Sequence, residues 1–252
     1  DYLALYRTHH TQLLQRRSRL STTYPESVAT TWSLSFRKIE KASPAAAELL
    51  HLCAFLEPDT IPEELLNESN APLLGQVLGQ LAIDPFRLNE AIEELRKFSL
   101  VQRQLNTKTL RIHRLVQAVL KDALVPEVQH QWAQRVVLTV NASFPHVEHS
   151  VWLQCERLLP QALTAAQIIE RYQLSSEEAG RLLYEAASYL RERARYAEAE
   201  PLYQRALQLR ERCLGPEHPL LASVLNGLAI LYYDQGKYCL LYTSDAADDL
   251  TR

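Results

Sequence analysis

Apolar residues recur at helical spacing along most of the chain, which predicts a mainly α-helical protein. Two helix starts carry strong signals, because Ser43 and Asp84 can each cap a helix whose first residue is a proline. A short helix is predicted in the same way in "PDTIPEELL", residues 58–66, around Pro62. The stretch "APLLGQVLGQLA", residues 71–82, is predicted to form one further helix.

One segment changes to the period of two that is typical of β-strands. "SLVQRQ" and "TLRIH" alternate, with Leu110 and Ile112 on one face, and "LNTK" between them supplies a polar turn. This predicted β-hairpin is the only strand signal in the sequence. Helical spacing resumes in "HRLVQAVLKDAL", and several helices, a hairpin and a helix outline a winged-helix module.

A repeat of 42 residues occupies the C-terminal part of the chain. Residues 182–196 overlay residues 224–238, so that Leu183 falls on Leu225. Such self-similarity indicates a stack of helical pairs.

The segment between the two copies predicts close packing of antiparallel helices. Ala199, Tyr203 and Ala206 are spaced by four and three residues, and the small side chains leave room for a neighbouring helix. Pro201 is expected in the first turn of its helix, where its missing N–H group costs little.

Composition and charge narrow the class of protein. Apolar residues make up 47% and charged residues 23% of the chain, and Gly is scarce at 6 residues, all of which suits a helical globular protein. The net charge of −3 does not indicate a nucleic-acid or membrane surface. The sequence has neither a signal peptide nor a membrane-spanning apolar stretch, so we expect a cytoplasmic protein. Its cysteines form no CxxC pair and are expected to be buried thiols: Cys53, Cys155, Cys213 and Cys239.

Both ends of the chain depart from a self-contained domain. The sequence begins at Asp1, contains no Met, and opens within a helical pattern, so we expect it to be an internal part of a longer protein. After Tyr238 the repeat stops, because the positions 42 residues after Tyr203 and Ala206 are aspartates on a face that should be buried. "CLLYTSDAADD" also resembles a translated sequencing adapter, so residues 239–252 are expected to be a non-native tail.

The repeat is similar to a tetratricopeptide unit. "YAEAEPLYQRAL", "LGPEHP" and "LNGLAILYYDQGKY" resemble the 42-residue variant of kinesin light chains, with about one and a half repeats in residues 176–238. The resemblance implies that the first helix of each unit lines a groove for a protein or peptide partner. The implied groove residues are Tyr184, Ser188, Arg191, Asn226, Ile230 and Tyr233, of which Asn226 matches an asparagine that clamps peptide backbone.

Residues 1–125 resemble the rear part of the bacterial NB-ARC (STAND-class) signalling ATPases. "YLALYRTHHTQLLQRR", within residues 1–20, resembles the last helix of their helical subdomain. Residues 21–125, from "YPESVATTWSLSFRKIE" to "IHRLVQAVL", resemble the winged-helix subdomain. Residues 126–175 would then be a helical linker leading into the repeats.

The resemblance implies a nucleotide-sensing pair, His113 and Arg114. A Met-His-Asp triplet follows the hairpin in plant relatives, and its histidine reaches the β-phosphate of bound ADP; here the triplet is Ile112-His113-Arg114. A histidine can donate to phosphate, and a helix N-terminus favours an anion. Arg114 replaces the acid and could contact phosphate or be solvated. The alternative is that His113 is a half-buried hinge residue.

The chain itself is predicted to have no catalytic residue and no bound cofactor. It contains neither GxxxxGK[ST] nor an acidic strand end for magnesium, so the resemblance places the core that binds ADP or ATP with Mg upstream. The implied function is a nucleotide switch in which the winged helix senses ADP or ATP and the repeats bind a protein partner. One alternative is a tetratricopeptide scaffold without nucleotide cycling.

A second alternative is a winged-helix regulator that binds DNA. Its reading helix would be "FRLNEAIEELRKF". The three basic residues of this helix are balanced by three acidic ones, so its charge is a poor match for a phosphate backbone: Arg87, Arg96 and Lys97 against Glu90, Glu93 and Glu94. The hairpin adds Arg103, Lys108 and Arg111. A metal site at His146, His149 and Cys155 is not predicted, because no fourth ligand has suitable spacing.

Overall fold

The computed structural model describes residues 36–236. The predicted helix in residues 1–20 and the predicted tail in residues 239–252 lie outside the described residues. The described residues fall into two compact units, which divide between Val136 and Val137. Each unit is built mainly from helices, as the sequence predicts.

The first unit combines helices with a small sheet. Its described elements, in chain order, are a helical segment at residues 36–42, α1 (Pro44–Phe55), β1 (Ile61–Pro62), α2 (Ala71–Leu74), α3 (Gln76–Ile83), α4 (Pro85–Lys97), β2 (Val101–Gln104), β3 (Thr109–Ile112), α5 (Arg114–Ala123) and the first part of α6 (Pro126–Ser143). Short 3-10 turns lie at Glu63–Leu65 and Glu68–Asn70.

The two predicted helix starts are confirmed. The Ser43 hydroxyl accepts a hydrogen bond from the Ala46 N–H group at 3.3 Å, and Pro44 is the first residue of α1. The Asp84 carboxylate accepts from the N–H groups of Phe86 and Arg87 at 3.0 and 3.3 Å. Each cap satisfies backbone donors that the first turn of a helix leaves without a partner.

The predicted hairpin is confirmed, but the sheet has a third strand. β2 and β3 pair antiparallel with Val101 opposite Ile112, and β1 pairs with the other side of β3 through Ile61 and Leu110. The predicted helix around Pro62 is therefore wrong. Pro62 lies in an edge strand, where a residue without an N–H group is tolerated, and only a 3-10 turn follows it.

The predicted helix at residues 71–82 is divided in two at Gly75. Gly75 has φ +82°, a left-handed conformation that ends α2 before α3 begins. Four residues later, a Cβ atom on Gly79 would lie 2.7 Å from the Ala71 carbonyl oxygen. Glycine is thus required both to break the helix and to let α3 pack against α2.

The second unit consists of helical pairs. Its described elements are the end of α6, a 3-10 turn at His149–Val151, α7 (Trp152–Arg171), α8 (Glu177–Glu192), α9 (Tyr196–Leu214) and α10 (Pro219–Asp234). The predicted packing of small residues is confirmed, since Ala199, Tyr203 and Ala206 are all buried. Pro201 is not in the first turn, because α9 begins at Tyr196 and Pro201 is its sixth residue.

The cysteines are partly as predicted. Cys53 and Cys155 are buried free thiols, and burial raises their pKa values to about 12 and about 11. Cys213, near the end of α9, is exposed, so the prediction of a buried thiol is wrong there. Cys239 lies outside the described residues.

In residues 36–236, none of the helices has the length and apolar character needed to span a bilayer.

Candidate functional site

His113 lies between β3 and α5 and caps the helix. Its Nδ1 atom accepts a hydrogen bond from the Leu115 N–H group at 3.1 Å. A neutral ring in this arrangement carries its proton on Nε2, which makes Nε2 the donor. The side chain is exposed and not half-buried as the hinge alternative expects.

Two arginines beside His113 converge on one carboxylate. Asp59 Oδ1 accepts from Arg111 Nε at 3.0 Å, and Oδ2 accepts from Arg114 at 3.0 Å. The hydrogen bond from Arg114 is the main reason that the pKa of Asp59 is lowered. Sequence reasoning identified Arg114 but missed Asp59, because this partner is 55 residues away and no local pattern links the two.

These residues line a cleft of about 610 Å³ at the start of α5. Arg111, His113 and Arg114 contribute donors, Asp59 contributes its carboxylate, and Gln102 contributes an amide. The positive end of a helix dipole and two guanidinium groups favour an anion of phosphate size. The cleft therefore combines groups that can bind an oxyanion with a carboxylate that already pairs with both arginines.

Gln117 fixes the orientation of α5. Its buried side-chain amide donates to the carbonyl oxygens of Cys53 at 2.9 Å and Leu56 at 2.8 Å, at the end of α1. These carbonyls have no later helical turn to donate to them. Since His113 is the N-cap of α5, the hydrogen bonds of Gln117 also help to hold His113 in place. No local pattern in the sequence indicates this contact.

The basic residues of α4 and of the hairpin are largely neutralised by neighbours. Within α4, Arg96 pairs with Glu93 and Lys97 with Glu94. In β2, Arg103 donates from Nε and Nη2 to the two carboxylate oxygens of Glu63. These ion pairs agree with the balanced charge read from the sequence and disfavour a phosphate-backbone surface.

The predicted groove residues of α8 are engaged within the repeat. The Ser188 hydroxyl is buried, donates to the Tyr184 carbonyl at 2.9 Å, and lies 3.0 Å from the Tyr203 hydroxyl. The Arg210 guanidinium lies over the Tyr184 ring, 4.9 Å from its centre. Ser188 therefore does not present its hydroxyl to a groove, contrary to the expectation. Arg191 is half-buried beside Glu192.

The predicted groove residues of α10 are exposed. Asn226 is exposed, as are Ile230 at 37% and Tyr233 at 62% of their surface. Gly227 on the same helix faces Tyr203, and a Cβ atom there would lie 2.7 Å from the Tyr203 ring. In the described part of the repeats, the open amide and aromatic surface thus lies on α10.

The two histidines of the rejected metal site have other partners. His146 Nδ1 lies 2.9 Å from a Glu185 carboxylate oxygen, and Glu185 also accepts from the Val147 N–H group at 3.1 Å. The His149 ring contacts Trp152 edge-on. Across residues 36–236, no three His, Cys, Asp or Glu side chains are grouped to hold a metal ion.

We expect the His146–Glu185 pair to make stability depend on pH. The hydrogen bond to Glu185 raises the pKa of His146 above 6.5, so its stabilisation is complete below pH 6.5 and is lost as pH rises through the raised pKa. Because His146 is 70% exposed, we expect only about 0.2–1 kcal/mol.

His146→Gln should therefore lower the urea midpoint more at pH 6 than at pH 8.5. The nearby charges of Glu148 and Arg181 remain in both proteins. His149→Gln is the control, since His149 rests on Trp152 instead of a carboxylate. An equal effect of His146→Gln at both pH values would contradict the prediction.

Comparison with known proteins matches a family model to each part of the chain. Residues 37–128 match the family described as "Domain of unknown function (DUF7779)". Residues 178–238 match the tetratricopeptide repeat, which confirms the repeat predicted from the sequence.

A curated relative comes from Hyaloscypha variabilis and is named a "Nucleotide-binding leucine-rich repeat (NLR)-like protein". It is 27% identical over 200 residues, covering 79% of this chain and 19% of the relative. The chain therefore spans about a fifth of the length of the relative that it matches. Together the matches support an NLR-like architecture that includes tetratricopeptide repeats. The bacterial origin and the winged-helix assignment stay predictions.

Proposed function

We propose that this chain is the relay segment of an NB-ARC-type nucleotide-switch signalling protein. In this proposal, residues 36–125 are a winged helix that senses whether ADP or ATP with Mg occupies an NTPase core elsewhere in the intact protein. The repeats then bind a protein partner. The single observation that carries the proposal is the cleft of about 610 Å³ at the start of α5, which His113 and two arginines line.

The nucleotide half of the proposal rests on the chemistry of that cleft. His113 Nδ1 accepts from the Leu115 N–H group, which makes Nε2 the ring atom that would donate to a phosphate oxygen in this proposal. Arg114, at the position of the family's acid, adds a guanidinium that can bind phosphate. The match to an NLR-like relative adds support, since the name of that relative includes nucleotide binding.

Gln117 supplies the mechanical link in this proposal. It ties α5 to the end of α1 through two buried hydrogen bonds. A shift of His113 on exchange of the nucleotide would therefore move α5 as a whole or break these bonds. In either case, a local contact with phosphate would change how α5 packs against α1.

The partner half rests on the repeats. Tetratricopeptide pairs present helix faces to protein ligands, and Asn226, Ile230 and Tyr233 form the exposed face of α10. An asparagine amide can both donate to and accept from a peptide backbone. An aliphatic and an aromatic side chain beside it favour an extended peptide with apolar side chains.

The test is the rate at which the intact protein releases ADP. His113→Ala should raise this rate, because the proposed contact to the β-phosphate is lost. An unchanged rate would instead favour a tetratricopeptide scaffold that uses its repeats without sensing nucleotide.

A further inference from the structure

Asp59 places a carboxylate against the same donors that a phosphate group would use. Arg111 and Arg114 donate to its two oxygens, each at 3.0 Å, beside His113. Guanidinium groups bind carboxylates and phosphates through the same planar donor geometry. An incoming phosphate must therefore compete with a carboxylate of the protein itself.

The position of Asp59 is set by its backbone and not only by its ion pairs. A Glu57 carboxylate oxygen accepts from the N–H groups of Asp59 at 2.9 Å and Thr60 at 3.1 Å. The adjacent Pro58 carbonyl accepts from the Ile112 N–H group at 2.9 Å, which joins this loop to the end of β3. The loop thus holds the carboxylate at the cleft, where it is 39% exposed to entering solutes.

We infer that Asp59 is an internal competitor that sets the affinity of the cleft for a phosphate group. The inference rests on the proposed function, which assigns a nucleotide phosphate to this cleft. When phosphate binds, Arg111 and Arg114 exchange carboxylate oxygens for phosphate oxygens, and Asp59 becomes a neighbouring like charge.

This exchange gives the cleft a preference among anions. A dianionic phosphate carries more charge than the carboxylate that it displaces, whereas a monoanion gains little over Asp59. The cleft should therefore favour a terminal phosphate over chloride or a free carboxylate.

The test measures the binding of inorganic phosphate to the 252-residue chain by NMR, from the shifts of amides 111–115. Asp59→Asn should bind phosphate about 1.5- to fivefold more tightly, the range expected for losing an exposed ion pair. Asparagine keeps the backbone N–H group that Glu57 holds. Glu90→Gln in α4 makes the same change in net charge away from this cleft and should leave the affinity unchanged.

The outcomes separate this inference from the proposed function. Equal affinity in Asp59→Asn and the parent chain, an equal gain in Glu90→Gln, or no phosphate binding by either chain would overturn the competitor role. His113→Ala is then added to Asp59→Asn. If the double variant binds phosphate as tightly as Asp59→Asn, the competitor role is supported and His113 as the phosphate contact is contradicted. If the double variant binds phosphate more weakly than Asp59→Asn, both are supported.

Discussion

Gln117→Met should lower the free energy of unfolding of the first unit by about 2–4 kcal/mol, because the substitution leaves two buried carbonyl groups without a donor. Methionine retains the length of the side chain, so little of the loss would come from a cavity. The Gln117 amide is the group that donates to Cys53 and Leu56, and its side chain is buried at 6% exposure. Urea denaturation followed by circular dichroism measures the change.

Gln129→Met is the matched control for this prediction. Gln129 makes the same kind of contact, because its amide donates to the carbonyls of Lys121 and Leu124 at the end of α5. Those bonds are only partly buried, so water can replace the lost donor. Gln129→Met should therefore cost much less. Equal losses for Gln117→Met and Gln129→Met would show that the burial of the Gln117 contacts does not matter.

Gly227→Ala should destabilise the second unit, although Gly→Ala within a helix is ordinarily stabilising by about 0.5–1 kcal/mol. A Cβ atom at this position would lie 2.7 Å from the Tyr203 ring, and Tyr203 is 1% exposed, so the ring has little room to move. Overpacking of this kind costs about 1–3 kcal/mol. Thermal denaturation of the variant gives the sign directly.

Gly180→Ala provides the comparison within α8. The nearest atom to a Cβ there is the Arg210 Cγ, at 3.1 Å, which belongs to a flexible alkyl chain. Gly180→Ala should consequently lose less stability than Gly227→Ala. If Gly227→Ala were as stable as the parent chain or more so, close packing of α10 against Tyr203 would not be what places Asn226, Ile230 and Tyr233.

The elements with strong local signals were predictable from the sequence. Ser43 and Asp84 cap their helices, and the alternation of residues 109–112 forms β3, since these signals act over a few residues. The strand at Ile61–Pro62 was missed because two residues carry no periodicity, and pairing with β3 decides their conformation. Pro62 in fact supported the wrong prediction of a helix.

The candidate site was predictable only in part. The resemblance to the family's Met-His-Asp triplet identified His113, but Asp59 and Gln117 act across 50 or more residues, and nothing local indicates their partners. Ser188 matched a groove position in the repeat, yet its hydroxyl is hydrogen-bonded to the Tyr203 hydroxyl. Periodicity identifies which positions share a face, whereas the size of the neighbouring side chain decides which of them stay open.

The most direct measurement of the central claim is the dissociation rate of fluorescently labelled ADP from the intact protein carrying His113→Ala. Loss of a hydrogen bond to a charged phosphate should raise the rate on the order of tenfold or more. His218→Ala is the control, because His218 Nδ1 caps α10 through the Leu220 N–H group just as His113 caps α5. The account predicts faster release for His113→Ala alone; equal rates for the parent protein and both variants would contradict it.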